Sequence, residues 1–189
     1  MHKLYFRYGT MNSSKTTSLL TTAHNYTSLG RRAVIIKPSV DTRSGPTSVA
    51  SRCGLSQPAD IVVGPDDALE IPDVESVACI LVDEAQFLSP EQVDQLRQLT
   101  RHAPVIAYGL RTDSQARLFS GSRRLFEVAD SIEEIKMICS KCTQKSTVNA
   151  RYRLREDGTK QIVYDAEQIV IGGEDMYCAL CFSCWDKAR

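Results

Sequence analysis

The sequence lacks an excess of charge of either sign: its 189 residues include 23 Lys and Arg and 23 Asp and Glu. Because a neutral chain has no general attraction for polyanions, we expect no nucleic-acid partner. No apolar run approaches the ~20 residues of a membrane span, and residues 1–10 lack the apolar core of a signal peptide. These absences predict a cytoplasmic protein without a membrane partner.

Histidine is scarce, with three residues, whereas most of the seven cysteines lie after residue 138. In a cytoplasmic chain, cysteines serve as metal ligands or free thiols more often than as disulfides. The composition is that of an ordinary globular protein, and the length suits one domain with a small addition. We therefore predict a larger domain over residues 1–138 and a metal-binding lobe over residues 139–189.

Short apolar runs alternate with amphipathic segments along the first domain. Strands are predicted at residues 3–8, 33–36, 61–63, 77–82, 105–108 and 132–138, helices at residues 15–29 and 89–102, and further strands in the lobe at residues 147–154 and 168–171. Residues 38–58, rich in Ser, Thr, Gly and Pro, are predicted to form a long loop. Strands separated by helices form βαβ units, so the pattern predicts an α/β fold in which helices flank a parallel sheet.

The loop after the first predicted strand has the spacing of a phosphate-binding loop, G-x-x-x-x-G-K-[ST]. Its residues are Gly9, Thr10, Met11, Asn12, Ser13, Ser14, Lys15 and Thr16. Such a loop turns backbone N–H groups toward the phosphates of ATP, while Lys15 would reach the β- and γ-phosphates and Thr16 would bind Mg²⁺. Ser14 replaces the second glycine and must adopt a conformation that glycine takes without steric strain. The loop predicts a fold of the P-loop NTPase type.

Two carboxylates, Asp83 and Glu84, follow the apolar run at residues 77–82. In P-loop enzymes an acidic residue at such a strand end holds Mg²⁺, and the adjacent carboxylate is then free to act as a base. Since successive strand residues point to opposite faces, the two carboxylates are expected to have different roles.

The cysteine spacing predicts a structural zinc site in the C-terminal lobe. Cys139 and Cys142 form one C-x-x-C pair, and the second pair is either Cys178 with Cys181 or Cys181 with Cys184. Two such pairs complete a tetrahedral four-cysteine site without an open position. Free buried cysteines and an iron–sulfur cluster are the less favoured alternatives.

Taken in order, the motifs resemble those of the type II thymidine kinases over nearly the whole chain. They are the phosphate-binding loop with Met11, Asp41-Thr42-Arg43, Asp83-Glu84-Ala85-Gln86-Phe87-Leu88, Tyr108-Gly109-Leu110-Arg111-Thr112-Asp113, Phe119-Ser120-Gly121-Ser122, Cys139-x-x-Cys142, and Val170-Ile171-Gly172-Gly173 with Tyr177 and Cys181. Any single match is weak, but the ordered set is specific.

The resemblance implies an ATP-dependent kinase that phosphorylates the 5′-hydroxyl of thymidine, and of deoxyuridine, in nucleotide salvage. It implies that Glu84 is the general base and that Asp83 and Thr16 bind Mg²⁺. It also implies that Asp83, Glu84, Ala85 and Gln86 complete the ATP site. The implied nucleoside-binding residues are Met11, Phe87, Leu110, Phe119, Gln168, Ile169, Val170, Ile171, Gly172 and Tyr177. Family ligands stand at Cys181 and Cys184, which leaves Cys178 a spare thiol. A homotetramer is also implied.

Three positions depart from the family pattern. Ser14 stands where the family has glycine, Ser114 where phenylalanine is common, and Phe182 where arginine is usual. Two other functions stay open. A nucleoside-binding paralogue with weak turnover would suit the two serines, and a P-loop ATPase of helicase or motor type would suit the sequence Asp-Glu-Ala-Gln from Asp83.

Overall fold

The computed structural model describes residues 1–164 and 176–188. Within them, six strands form one sheet in the order β5-β2-β6-β7-β1-β8, and every neighbouring pair is parallel. These strands are β1 (Leu4–Tyr8), β2 (Arg32–Pro38), β5 (Ile61–Val63), β6 (Val77–Val82), β7 (Val105–Gly109) and β8 (Ser131–Glu134). The predicted α/β fold with a parallel sheet is confirmed.

Helices cover both faces of this sheet. The described helices are α1 (Lys15–Thr27), α2 (Pro90–Leu99), α3 (Ser120–Val128) and α4 (Phe182–Asp186), with single 3₁₀ turns at Val74–Ser76 and Ala85–Phe87. Apolar side chains of α1 pack on one face of the sheet, and those of α2 and α3 pack on the other. In the described part of the chain, no helix combines the length and apolar character needed to cross a lipid bilayer.

The structure corrects two of the sequence predictions. The segment 38–58, predicted to be a loop, contains the antiparallel strands β3 (Ser48–Ala50) and β4 (Ser56–Pro58). Helix α3 was not predicted, because its Ser-Gly-Ser start is unfavourable for a helix. The glycine there has a packing role, since a Cβ atom on Gly121 would lie 2.5 Å from the carbonyl oxygen of Leu88.

The C-terminal lobe is built on a second, antiparallel sheet. In it β9 (Val148–Leu154) lies between β10 (Lys160–Ile162) and β11 (Tyr177–Leu180). The lobe has its own apolar cluster, to which Trp185 contributes. The predicted strand at 168–171 lies outside the described residues, and the boundary near residue 138 stays a prediction.

Candidate active site and metal centre

The phosphate-binding loop connects β1 to α1 at the carboxyl end of the parallel sheet, where ligands of such folds bind. Its first residue is anchored to the sheet, because the Gly9 N–H donates to the carbonyl oxygen of Gly109 at 3.2 Å. Glycine is required at this position, because a Cβ atom on Gly9 would lie 2.5 Å from the backbone carbonyl oxygen of Ile135 and 2.3 Å from the Ser13 Oγ. The loop therefore folds tightly back on itself beside the end of β7.

Ser14 adopts the left-handed backbone conformation, at φ 61° and ψ 25°, immediately before α1. This is the conformation that its place in the glycine position of the motif led us to expect. A residue with a Cβ atom is strained there by about 1 kcal/mol or more. Asn12 is left-handed too, at φ 67°, but asparagine tolerates this region better than serine does.

Replacing Ser14 with Gly is expected to leave ATP binding unchanged or to tighten it by up to about fivefold: strain of ~1 kcal/mol is removed, but binding gains only the part of that strain that ATP would increase. Asn12→Gly is the matched control, with a smaller expected gain. Titration of ATP·Mg²⁺ by calorimetry checks both variants. Weaker binding by Ser14→Gly would instead show that the serine hydroxyl contacts the phosphates or the metal.

Lys15 is buried at the start of α1, where its Nζ donates to the carbonyl oxygen of Thr10 at 2.7 Å and to the Ser13 Oγ at 3.4 Å. Burial lowers the pKa of Lys15 to about 8, although the charges of Glu84 and Asp83 oppose the shift. Its neutral partners belong to the loop itself. The ammonium group thus lies inside the loop that would surround a polyphosphate.

Thr16 and Asp83 lie side by side, with the Thr16 Oγ1 3.2 and 3.3 Å from the two carboxylate oxygens. The pKa of Asp83 is raised to about 7, chiefly by burial and also by the negative charges of Glu84 and Asp41. A hydroxyl beside a buried carboxylate is an oxygen donor set that suits Mg²⁺. These two residues could therefore hold the metal.

Glu84 is turned away from the strand direction, because its backbone is left-handed at φ 47° and ψ 41°. Its Oε1 accepts from the guanidinium of Arg43, and its Oε2 accepts from the Gln86 Nε2 at 2.6 Å. Asp83 and Glu84 line one cavity, so the alternation of strand side chains from which we expected different roles does not separate them. β6 ends at Val82, so its side-chain alternation does not reach them.

Gln86 and Arg43 position the Glu84 carboxylate, and each has a second contact that holds it in place. The Gln86 side chain joins Glu84 to the end of β7, since its Oε1 accepts from the Leu110 N–H at 2.9 Å. Its assignment to the ATP site stays a prediction, and its contact with Glu84 was not predicted from the sequence. Arg43 also bonds through its Nε to the Asp41 Oδ1 at 2.7 Å. Burial raises the pKa of Asp41, but Arg43 outweighs this effect and holds the pKa below its usual value.

Lys37 is a residue that the sequence reasoning missed. It is 1% exposed, and its Nζ donates to the carbonyl oxygens of Gly45 at 3.1 Å and Ser48 at 2.8 Å, while lying 3.6 Å from the Asp41 Oδ2. A buried cation is tolerated only when it is paired in this way. Lys37 therefore fixes the segment that carries Arg43. A lysine directly after the apolar run at residues 33–36 was the available signal.

The cavity has a volume of about 880 Å³. Among the residues predicted to contact the nucleoside, Met11 and Leu110 line it. Phe87 and Phe119 pack edge to face, with ring centroids 5.8 Å apart, beside the 3₁₀ turn that follows Glu84. Tyr177 begins β11, and the predicted contacts at 168–172 lie outside the described residues.

Four cysteines of the C-terminal lobe come together: the Sγ atoms of Cys139, Cys142, Cys181 and Cys184 all lie within 4.8 Å of one another. The Cys142 Sγ is 3.6 Å from both the Cys181 Sγ and the Cys184 Sγ. These distances are too long for disulfides but match the spacing of about 3.8 Å that four thiolates have around tetrahedral zinc. The cluster is compatible with zinc, and Cys178 does not belong to it.

Backbone N–H groups support two of these sulfur atoms. The Cys139 Sγ accepts from the Lys141 N–H, and the Cys181 Sγ accepts from the Cys184 N–H, both at 3.4 Å. Bonds of this kind favour thiolates and orient them toward one centre. Phe182, one of the departures from the family pattern, packs against Trp185 with ring centroids 5.4 Å apart.

The parallel sheet, the phosphate-binding loop and the acidic pair in one cavity define a P-loop enzyme of the phosphoryl-transfer class. The family model described as thymidine kinase matches residues 2–185. The chain therefore belongs to the thymidine kinase family, which confirms the resemblance seen in its sequence.

The chain can be aligned with curated relatives over nearly their whole length. Proteins named thymidine kinase from Ruegeria pomeroyi and from the Enterobacteria phage T4 are each 42% identical to this chain. The alignments cover 100% and 99% of this chain and 96% and 97% of those proteins. A thymidine kinase from Streptococcus gordonii is 44% identical, with 96% of this chain and 94% of that protein covered. Membership of a kinase family implies that the protein uses ATP.

Proposed function

We propose that the protein transfers the γ-phosphoryl group of ATP to the 5′-hydroxyl of thymidine, and of deoxyuridine, in nucleotide salvage. The observation that carries this proposal is the position of Glu84. Its carboxylate lines the same cavity as the phosphate-binding loop and the Thr16–Asp83 pair. A base and a phosphate-binding site that share one cavity are what phosphoryl transfer to a hydroxyl requires.

The donor side of the cavity would be formed by the residues Gly9 to Thr16. Their N–H groups and the N-terminus of α1 would receive the phosphates, with the Lys15 ammonium among them. Thr16 and Asp83 would hold Mg²⁺, and Ala85 and Gln86 would complete the ATP site. When bound, Mg²⁺ neutralises charge on the transferred phosphoryl group.

On the acceptor side, Glu84 would take the proton of the 5′-hydroxyl. Each of its carboxylate oxygens accepts one bond from Arg43 or Gln86 and has a lone pair left for the hydroxyl. The two donors hold the carboxylate in one orientation. Such positioning is a large part of general-base catalysis.

The nucleoside would be bound by Met11, Phe87, Leu110, Phe119 and Tyr177 with the segment Gln168, Ile169, Val170, Ile171 and Gly172. The cluster of Cys139, Cys142, Cys181 and Cys184 would hold a structural zinc ion. Because that segment lies between the two cysteine pairs in the sequence, the metal would fix both of its ends. We also propose a homotetramer, in line with the family resemblance.

Release of ADP with and without thymidine tests this proposal against its two alternatives. We expect ADP release that depends on thymidine. An ATPase of helicase or motor type would release ADP without any nucleoside, and a binding paralogue would release little ADP under either condition. Either result would contradict the proposed kinase activity.

A further inference from the structure

Asn149, in β9 of the C-terminal lobe, is a buried amide with partners in two distant parts of the active site. Its Oδ1 accepts from the Met11 N–H at 2.7 Å, and its Nδ2 donates to the carbonyl oxygen of Thr112 at 3.2 Å. One partner is a donor and the other an acceptor, so the orientation of the carboxamide is determined. A single side chain thus joins the phosphate-binding loop to the loop that follows β7.

The first contact, to the Met11 N–H, lies next to the residue that binds Lys15. Met11 follows Thr10, whose carbonyl oxygen accepts from the Lys15 Nζ at 2.7 Å. The same end of the lobe also holds Thr10 by its side chain, since the Thr10 Oγ1 lies 2.7 Å from the Ser146 Oγ. The position of this part of the loop therefore depends on the lobe.

The second contact, to the Thr112 carbonyl oxygen, is connected to Glu84 through Leu110 and Gln86. Thr112 is two residues after Leu110, whose N–H is bonded to the Gln86 Oε1. Gln86 in turn donates to the carboxylate of Glu84. Asn149 is therefore connected to Lys15 in the phosphate-binding loop on one side and to Glu84, the proposed base, on the other.

We propose that Asn149 is a positioning residue that sets the phosphate-binding loop against the loop after β7, and so aligns the phosphoryl donor with the base. This inference rests on the proposed function. Its physical basis is that both contacts are made to backbone groups of irregular segments. A loop without regular hydrogen bonding depends strongly on each bond that it does have, particularly where the bond is buried.

Asn149→Ala, measured on the metal-loaded protein, tests the proposal. We expect ATP·Mg²⁺ to bind about tenfold more weakly and kcat to fall by a similar factor, as for the loss of a buried hydrogen bond. Amide exchange in residues 9–14 should accelerate. Thr147→Val is the matched control, since the Thr147 Oγ1 is buried near Asn149 without a hydrogen-bond partner among the described residues. This control is expected to leave all three quantities unchanged.

The possible outcomes distinguish a failure of the proposed function from a failure of the proposed role of Asn149. If the wild-type protein binds no ATP·Mg²⁺, the proposed function fails. If the wild type binds it and a folded, zinc-containing Asn149→Ala variant binds it equally well, only the role of Asn149 is refuted. A rise in the thymidine KM alone would identify a nucleoside contact and also overturn the proposal. If the variant does not fold, hydrogen exchange of the Met11 amide in the wild type is measured instead. A stable bond to Asn149 would slow this exchange, so rapid exchange would contradict the proposed role of Asn149.

Discussion

Glu84→Gln is expected to reduce the turnover of thymidine by 10²–10⁴-fold, the usual effect of removing a general base. Gln has nearly the same shape as Glu but cannot accept the proton of the 5′-hydroxyl at neutral pH. The phosphate-binding residues Lys15 and Thr16 are unchanged, so ATP·Mg²⁺ should bind with an affinity close to that of the wild type. The expected result is therefore a loss of kcat with little change in binding.

Steady-state kinetics and a calorimetric ATP titration check this expectation. Glu156→Gln is the matched control, because the same chemical change is made on an exposed side chain outside the cavity. Turnover by Glu84→Gln within a few fold of the wild type would contradict the role of Glu84 as the base. A loss of ATP binding equal to the loss of turnover would assign Glu84 to the nucleotide site instead.

Cys142→Ser is expected to abolish zinc binding and to unfold the lobe around the cysteine cluster. The Cys142 Sγ contacts two other cysteines of the cluster, so its loss leaves an incomplete ligand set. Structural zinc contributes about 10–16 kcal/mol to the folding of zinc-finger peptides, which is more than a small lobe gains from its apolar core. Thymidine affinity should fall with it, because the proposed thymine-binding segment lies between the cysteine pairs.

Metal analysis and a thermal melt measure this effect, with Cys178→Ser as the matched control. That cysteine is outside the cluster, so its variant should keep one zinc ion per chain. Retention of zinc in Cys184→Ser together with its loss in Cys178→Ser would show that the second ligand pair is Cys178 and Cys181. Iron in place of zinc would contradict the assignment of the metal.

Local patterns were sufficient to predict the central sheet and the phosphate-binding loop. Strands such as β6 are continuous apolar runs because both faces of a parallel sheet are buried, and this signal is independent of the rest of the chain. The conformation of Ser14 could be predicted because the loop geometry dictates it. Helix α3 could not, because its favourable contacts, such as the close approach of Gly121 to Leu88, are tertiary.

Contacts between distant residues could not be predicted from the sequence. Lys37 is held by backbone carbonyl groups, and Asn149 bonds to Met11 across 138 residues of sequence. Backbone groups carry no sequence signal, so nothing in the residues near either side chain identifies its partners. The alternation of strand side chains could not be applied to Asp83 and Glu84 because β6 ends at Val82, and the left-handed backbone of Glu84 has no signal in the local sequence.

The identity of the reaction product decides whether the protein phosphorylates thymidine. The purified protein is incubated with ATP·Mg²⁺ and, separately, thymidine, deoxyuridine or deoxycytidine, and the products are identified by mass spectrometry with fragmentation. The account predicts thymidine 5′-monophosphate and ADP in equal amounts, the corresponding product from deoxyuridine, and little from deoxycytidine. ADP without any nucleoside monophosphate, or phosphorylation of deoxycytidine in preference to thymidine, would contradict it.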